Sequence, residues 1–179
     1  MRIARSNLRV LVEAAVMIAL AAALSQIPLF KMPEGGTVTP GSMVPILLIA
    51  LRYGTGWGTL AGVALGLVNL IVNPYVVHPV QMLLEYPIAF GVLGLAGLAR
   101  GRSDRIAGLL GSLALFGRFL AHFIAGVVFF ASYTPPGWNV WVYSAAYNGS
   151  YMLPEMMISG LLLVLLLPAL RRALPPVVE

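Results

Sequence analysis

Residues 10–30 read VLVEAAVMIALAAALSQIPLF, a continuous apolar run whose only formal charge is Glu13. A helix needs about 20 such residues to cross a bilayer. The preceding MRIARSNLRV has the basic flavour of a signal peptide. However, the run exceeds the roughly 7–15 residues of a signal core, and no clear cleavage site follows it. The stretch is therefore read as a first membrane helix. The whole chain agrees: 179 residues, 60% hydrophobic and 9% charged, with mean hydropathy +0.92. A soluble domain carries about 25% charged residues. The other runs are also continuous and do not alternate, which disfavours membrane strands. The expected fold is an all-α integral membrane protein, a single domain over 1–179.

Six transmembrane segments can be drawn, at about 8–28, 43–52, 57–71, 80–98, 106–132 and 142–167. The second is short for a span, so it is expected to be tilted, sunken or covered by the loop before it. That loop, LFKMPEGGTVTPGS, has the Gly and Pro residues of irregular structure. Basic residues set the orientation. Arg2, Arg5 and Arg9 precede the first segment, and Arg52 separates the second from the third. Arg100, Arg102 and Arg105 separate the fourth from the fifth, and Arg171 and Arg172 follow the sixth. The opposite loops hold only Lys31. The positive-inside rule then places both termini in the cytoplasm. The net charge of +5 is a topology signal and not a nucleic-acid patch. No internal repeat is visible, which disfavours the common secondary-transporter designs.

Against this apolar background the polar residues inside spans stand out: Glu85, Arg118, His122, Asn148 and Glu155. A charge at mid-membrane costs about 3 kcal/mol on insertion scales, so such groups face partners or water-filled cavities. Glu85 lies in HPVQMLLEYP, about 10 Å below the outer surface at 1.5 Å per residue from Pro79. In GRFLAHFIAG, Arg118, His122 and Gly126 recur every four residues along one helix face. Gly126 lets a flat group, or another helix, approach the backbone. In WVYSAAYNGSYMLPE, Tyr143, Tyr147 and Tyr151 form a stripe that also suits an ordinary interfacial aromatic belt. Asn148 is less ordinary, because an amide in lipid must find partners. It falls about 60° from Tyr151 but about 140° from Tyr143 on an ideal helix. The stretch offers no account of Glu155.

A carboxylate, an imidazole, a guanidinium, an amide and aromatic rings at one depth suit a small, flat, hydrogen-bonding solute. A cationic ring gains about 2 kcal/mol or more from a desolvated aromatic face. An amide and a phenol can read a heterocycle's edge. Other chemistries are missing. There is no phosphate-binding GxxxxGK[ST], no HExxH and no GxSxG. The chain has no cysteine, and its two histidines, far apart, make no zinc site.

The stretches EAAVMIALAAALS, GGTVTPGSMVPILLIALRYG, LLEYP, HFIAGVVFF and VYSAAYNGSYMLPE together resemble a known family over nearly the whole chain. The chain is similar to the thiamine-specific substrate-binding subunit (S component) of energy-coupling-factor (ECF) vitamin transporters. The resemblance implies a multi-pass protein of a prokaryotic cell membrane that captures extracellular thiamine with high affinity. It implies docking on a transmembrane coupling subunit with two cytoplasmic ATPase subunits, and no cofactor, thiamine being the cargo. It also implies roles. Glu85 would oppose the thiazolium charge, with His122 beside the ring and Tyr86 at the hydroxyethyl end. Tyr143 and Asn148 would bind the aminopyrimidine edge, and residues 31–42 would form a lid. Tyr75, Arg118 and Gly126 complete the expected site. Where some members have a lysine and a tryptophan, this chain has Arg118 and Phe130, with Trp138 as an alternative stacking surface. The AxxxAxxxA face of Ala15, Ala19 and Ala23 permits close packing within the chain or on a partner. The resemblance favours the coupling subunit.

Three kinds of function stay open at this point. One is a solute-binding subunit, for thiamine or else for another vitamin or a pyrimidine precursor. The second is an intramembrane enzyme with Glu85 and His122 as acid and base. The third is a structural subunit whose polar groups pair among themselves.

Overall fold

The structure, a computed structural model, describes residues 2–173, with the side chains of 8–172. The side chains of Arg2 and Arg5, expected at the inner face, lie outside the described residues. Helix α1 spans Arg2–Ser25. It stops at Ser25, short of Pro28, because a residue before proline is pushed away from helical ψ. Its last turn tightens, with Gln26 N donating to Ala23 O and Ile27 N to Leu24 O, both at 3.1 Å. The chain then folds over as a short hairpin, β1 (Phe30–Lys31) against β2 (Thr37–Val38), antiparallel with Phe30 opposite Val38. Gly35 and Gly36 make its turn, both at φ +85°.

Helix α2, Val44–Tyr53, has 10 residues. At 1.5 Å each it reaches about 15 Å, half the roughly 30 Å hydrocarbon core. It is sunken: Ile46, Leu47 and Ala50 are fully buried. The hairpin loop leads into it, Val44 N donating to Gly41 O at 3.0 Å. Gly54, at φ +93°, turns the chain directly into α3, Thr55–Val72.

Helix α4 covers Pro79–Ala99 and is not uniform. It opens as α-helix, widens to a π turn at Leu84–Ile88, and tightens to 3₁₀ over Val92–Ala99. Pro87 lies inside the π turn. Having no N–H and a ring that crowds the carbonyl one turn back, it loosens the helix there. Helices α5 (Asp104–Phe129) and α6 (Val140–Ala173) complete the bundle. Asn139 caps α6, its Oδ1 accepting from Trp141 N at 2.8 Å.

Among the described residues, five helices (α1, α3, α4, α5 and α6) are long and apolar enough to cross a membrane, and α2 is the shorter sixth. Helices α3 and α4 meet along a glycine seam. A Cβ at Gly62 would lie 2.1 Å from Phe90 O, and one at Gly66 would lie 2.5 Å from Tyr86 O. Gly58, Gly62 and Gly66 form a GxxxGxxxG face, the close-approach pattern of membrane helices. This contact fixes the height of Tyr86, and with it Glu85, against the bundle.

Candidate functional site: a polar cavity under the hairpin loop

A cavity of about 690 Å³ lies between the hairpin loop and the ends of α1, α3, α4, α5 and α6. That volume is within the range of ligand pockets, roughly 300–1,000 Å³. The basic residues Arg52, Arg100, Arg102, Arg105, Arg171 and Arg172 belong to the other end of the bundle. There Asp104 pairs with Arg171 at 3.0 Å, and Glu13 takes Arg52 at 3.1 Å and Arg9 at 2.8 Å.

Glu85 stands in the π turn and points into the cavity. Its Oε2 accepts from Gln81 Nε2, and its Oε1 lies 3.3 Å from His122 Nδ1. The side chains of Glu85 and His122 are only 14% and 12% exposed, so this carboxylate is largely withdrawn from water. Gln81 is fully buried and also donates to Tyr75 O at 3.0 Å and accepts from Val77 N at 3.1 Å. It therefore ties the loop between α3 and α4 to the carboxylate. Sequence reasoning missed Gln81; the signal was an amide one helical turn before an intramembrane acid.

Tyr86 also lines the cavity, but its hydroxyl is engaged. It accepts from Tyr75 N at 2.8 Å and donates to Asn73 O at 3.1 Å, leaving one acceptor lone pair. Tyr75 stacks on Phe130 with ring centroids 5.8 Å apart. Its hydroxyl lies 3.4 Å from that of Tyr133. That hydrogen bond, with burial, raises the Tyr75 phenol above its ordinary value, so it stays a neutral donor.

Helix α5 brings Arg118, His122, Gly126 and Phe130 to the same wall. Arg118 does not pair directly with Glu85; its guanidinium lies 4.5 Å from the centroid of the Phe90 ring, and its buried Nε has no hydrogen-bond partner. His122 Nε2 is likewise buried without one. At Gly126 the approaching group is a helix: an added Cβ would lie 2.2 Å from Ser144 Oγ and 2.9 Å from Asn148 Nδ2.

Helix α6 contributes Tyr143, Tyr147, Asn148, Tyr151 and Glu155. Asn148 donates to Ser144 O at 3.0 Å and accepts from Tyr151 OH at 2.8 Å. Tyr147 accepts from Glu34 N at 3.0 Å and donates to Gly35 O at 2.9 Å, fastening the hairpin tip to the helix. Tyr143 and Asn148 both reach the cavity despite their angular separation, because the space is wide.

Trp138 is the expected site residue that the structure does not bring in. It is 56% exposed and is not among the residues lining the cavity. The Pro135–Pro136–Gly137 turn, closed by Trp138 N donating to Pro135 O at 3.1 Å, carries it away. Phe130 and Tyr75, stacked on each other, are the aromatic pair that lines the cavity instead. On α1, Ala15, Ala19 and Ala23 are exposed while Ala14 and Ala21 face the core. The alanine stripe is therefore not packing within the chain.

Fold and cavity together define a polytopic helical membrane protein built around a ligand-sized polar chamber at the end opposite most of its described basic residues. Residues 11–174 match the family described as thiamine transporter protein, and the chain belongs to that family. It is 36% identical over 171 residues to the thiamine transporter ThiT of Bacillus subtilis, covering 87% of this chain and 88% of that one. It is 37% identical over 162 residues to ThiT of Lacticaseibacillus paracasei, covering 80% and 79%. A solved structure of ThiT from Listeria monocytogenes matches with TM-score 0.78 and 26% identity, covering 92% of this chain and 96% of that chain. The relatives are transporters by name, so the role is not enzymatic and the acid–base use of Glu85 and His122 falls away.

Proposed function

We propose that this chain is the high-affinity thiamine-binding S component of an ECF-type transporter in a prokaryotic cell membrane. On this reading both termini are cytoplasmic and the cavity opens to the outside. The observation that carries it is Glu85: a carboxylate withdrawn from water, flanked by Gln81 and His122, in a chamber walled by tyrosine and phenylalanine. Such a group needs a cation, and the thiazolium ring of thiamine is a flat one. Phe130 and Tyr75 supply the face, His122 packs beside the ring, and Arg118 and Gly126 shape the wall behind it. Tyr143 and Asn148 read the aminopyrimidine edge, and the free lone pair of Tyr86 reaches the hydroxyethyl end. The loop over residues 31–42 closes as the lid.

The exposed stripe of Ala15, Ala19 and Ala23 is the surface offered to a transmembrane coupling subunit, which two ATPase subunits drive from the cytoplasm. Small residues let the partner helix approach its backbone.

The test is calorimetric titration of the purified protein with thiamine, riboflavin and biotin. None of the tryptophans lines the cavity, so calorimetry is preferred to fluorescence. Saturable one-to-one binding of thiamine, and none of the other two, is expected. Tighter binding of riboflavin or biotin would overturn the assignment.

A further inference from the structure

Glu155 of α6 is a carboxylate that the site as described does not use. It is 2% exposed, yet it lines the deep side of the cavity. Its partners come from the chain segment that descends from the hairpin to α2. Thr39 N donates to Oε2 at 2.5 Å, and the Thr39 hydroxyl lies 2.8 Å from Oε1. Ser42 N in turn donates to Thr39 Oγ1 at 3.1 Å. The tip of the hairpin is held separately, through Tyr147. The loop is thus held to α6 in two regions, at its tip through Tyr147 and Ser150 and at its root through Glu155.

Glu155 also bears on the charge of the chamber. Arg118 and Glu155 line the same cavity as Glu85, and the buried Nε of Arg118 has no hydrogen-bond partner. Counted as formal charges, Glu85, Arg118 and Glu155 sum to one negative charge. Without Glu155 the sum is zero, and a cationic ligand would leave the chamber with a net positive charge in a medium of low dielectric.

We infer that Glu155 is a positioning residue for capture: it anchors the root of the covering loop through Thr39, and it offsets Arg118 so that Glu85 remains free for a cationic ligand. The second half rests on the thiamine reading above; the first does not.

Two variants of the full chain, Glu155→Gln and Thr39→Val, test it with two readouts. Lys31 is the only lysine in the chain and lies in the hairpin, so endoproteinase Lys-C reports on loop attachment alone. Both variants should be cleaved at least fivefold faster than the parent while eluting as the same monodisperse species. The second readout compares thiamine with its neutral isostere carrying thiophene in place of thiazolium. Thr39→Val should weaken both ligands by a similar factor. Glu155→Gln should weaken thiamine at least tenfold more than the isostere. Unchanged cleavage rates would overturn the anchor, and equal losses of the two ligands in Glu155→Gln would overturn the charge role. Failure of the parent chain to bind thiamine would instead strike the reading of the site, while the cleavage readout would still decide the anchor.

Discussion

Glu85, Arg118, His122 and Asn148 are legible in the sequence because polar groups are costly inside a span, and each residue that breaks an apolar run marks a site. All four line the cavity. What the sequence does not show is how each is satisfied. A direct pair between Glu85 and Arg118 is a reasonable expectation, yet Glu85 takes Gln81 and His122 while Arg118 lies against Phe90. The aromatic lining of the cavity is the other point of divergence. Spacing along the chain cannot say that the Pro135–Gly137 turn throws Trp138 outward, whereas Phe130, at the end of α5, stays inside. The consequence is measurable by titration with thiamine. Trp138→Ala should change the affinity less than twofold. Phe130→Ala should weaken it by about 1–2 kcal/mol, roughly five- to thirtyfold, through the lost aromatic face.

At the scale of elements, helix count and order are readable from apolar run lengths, and even the shortness of α2 is visible in advance. The modulation within α4 is not. Its π turn follows from Pro87 in an otherwise helical stretch, and only the three-dimensional path shows that this turn aims Glu85 inward. The GxxxGxxxG face of α3 is a pattern that the sequence does contain, at Gly58, Gly62 and Gly66. Its partner cannot be read from the pattern, because glycine faces serve internal and external contacts alike. The structure sets Gly62 and Gly66 against α4 and Gly58 against both Ala50 of α2 and Gly94 of α4, with no room for a side chain. Gly62→Leu should therefore lower the thermal midpoint of the detergent-solubilised protein by several degrees or prevent its folding, since overpacking costs about 1–3 kcal/mol. Gly56, which meets nothing within 4 Å, provides the control: Gly56→Ala should leave the midpoint within a degree or two.

Over the whole molecule, the proposed function rests on two separate surfaces. The chamber lies under the hairpin at one end, and the alanine stripe lies on the outer flank of α1. Binding and energised uptake should accordingly be separable. Ala19→Trp should leave thiamine affinity unchanged and abolish uptake by cells expressing the coupling subunits; loss of both together would make the stripe part of the binding fold. The separation also explains the distribution of charge. Among the described residues, charged side chains gather at the end away from the chamber, apart from Lys31 and Glu34 on the loop and the buried trio Glu85, Arg118 and Glu155. The central claim is that Glu85 is the counter-charge of a cationic vitamin. Calorimetric titration of thiamine into Glu85→Gln tests it most directly, because glutamine keeps the shape and removes the charge. Affinity should fall by about 3 kcal/mol, roughly a hundredfold or more, as when one partner of a buried charge pair is lost. A correctly folded Glu85→Gln protein that binds thiamine as tightly as the parent would contradict the account.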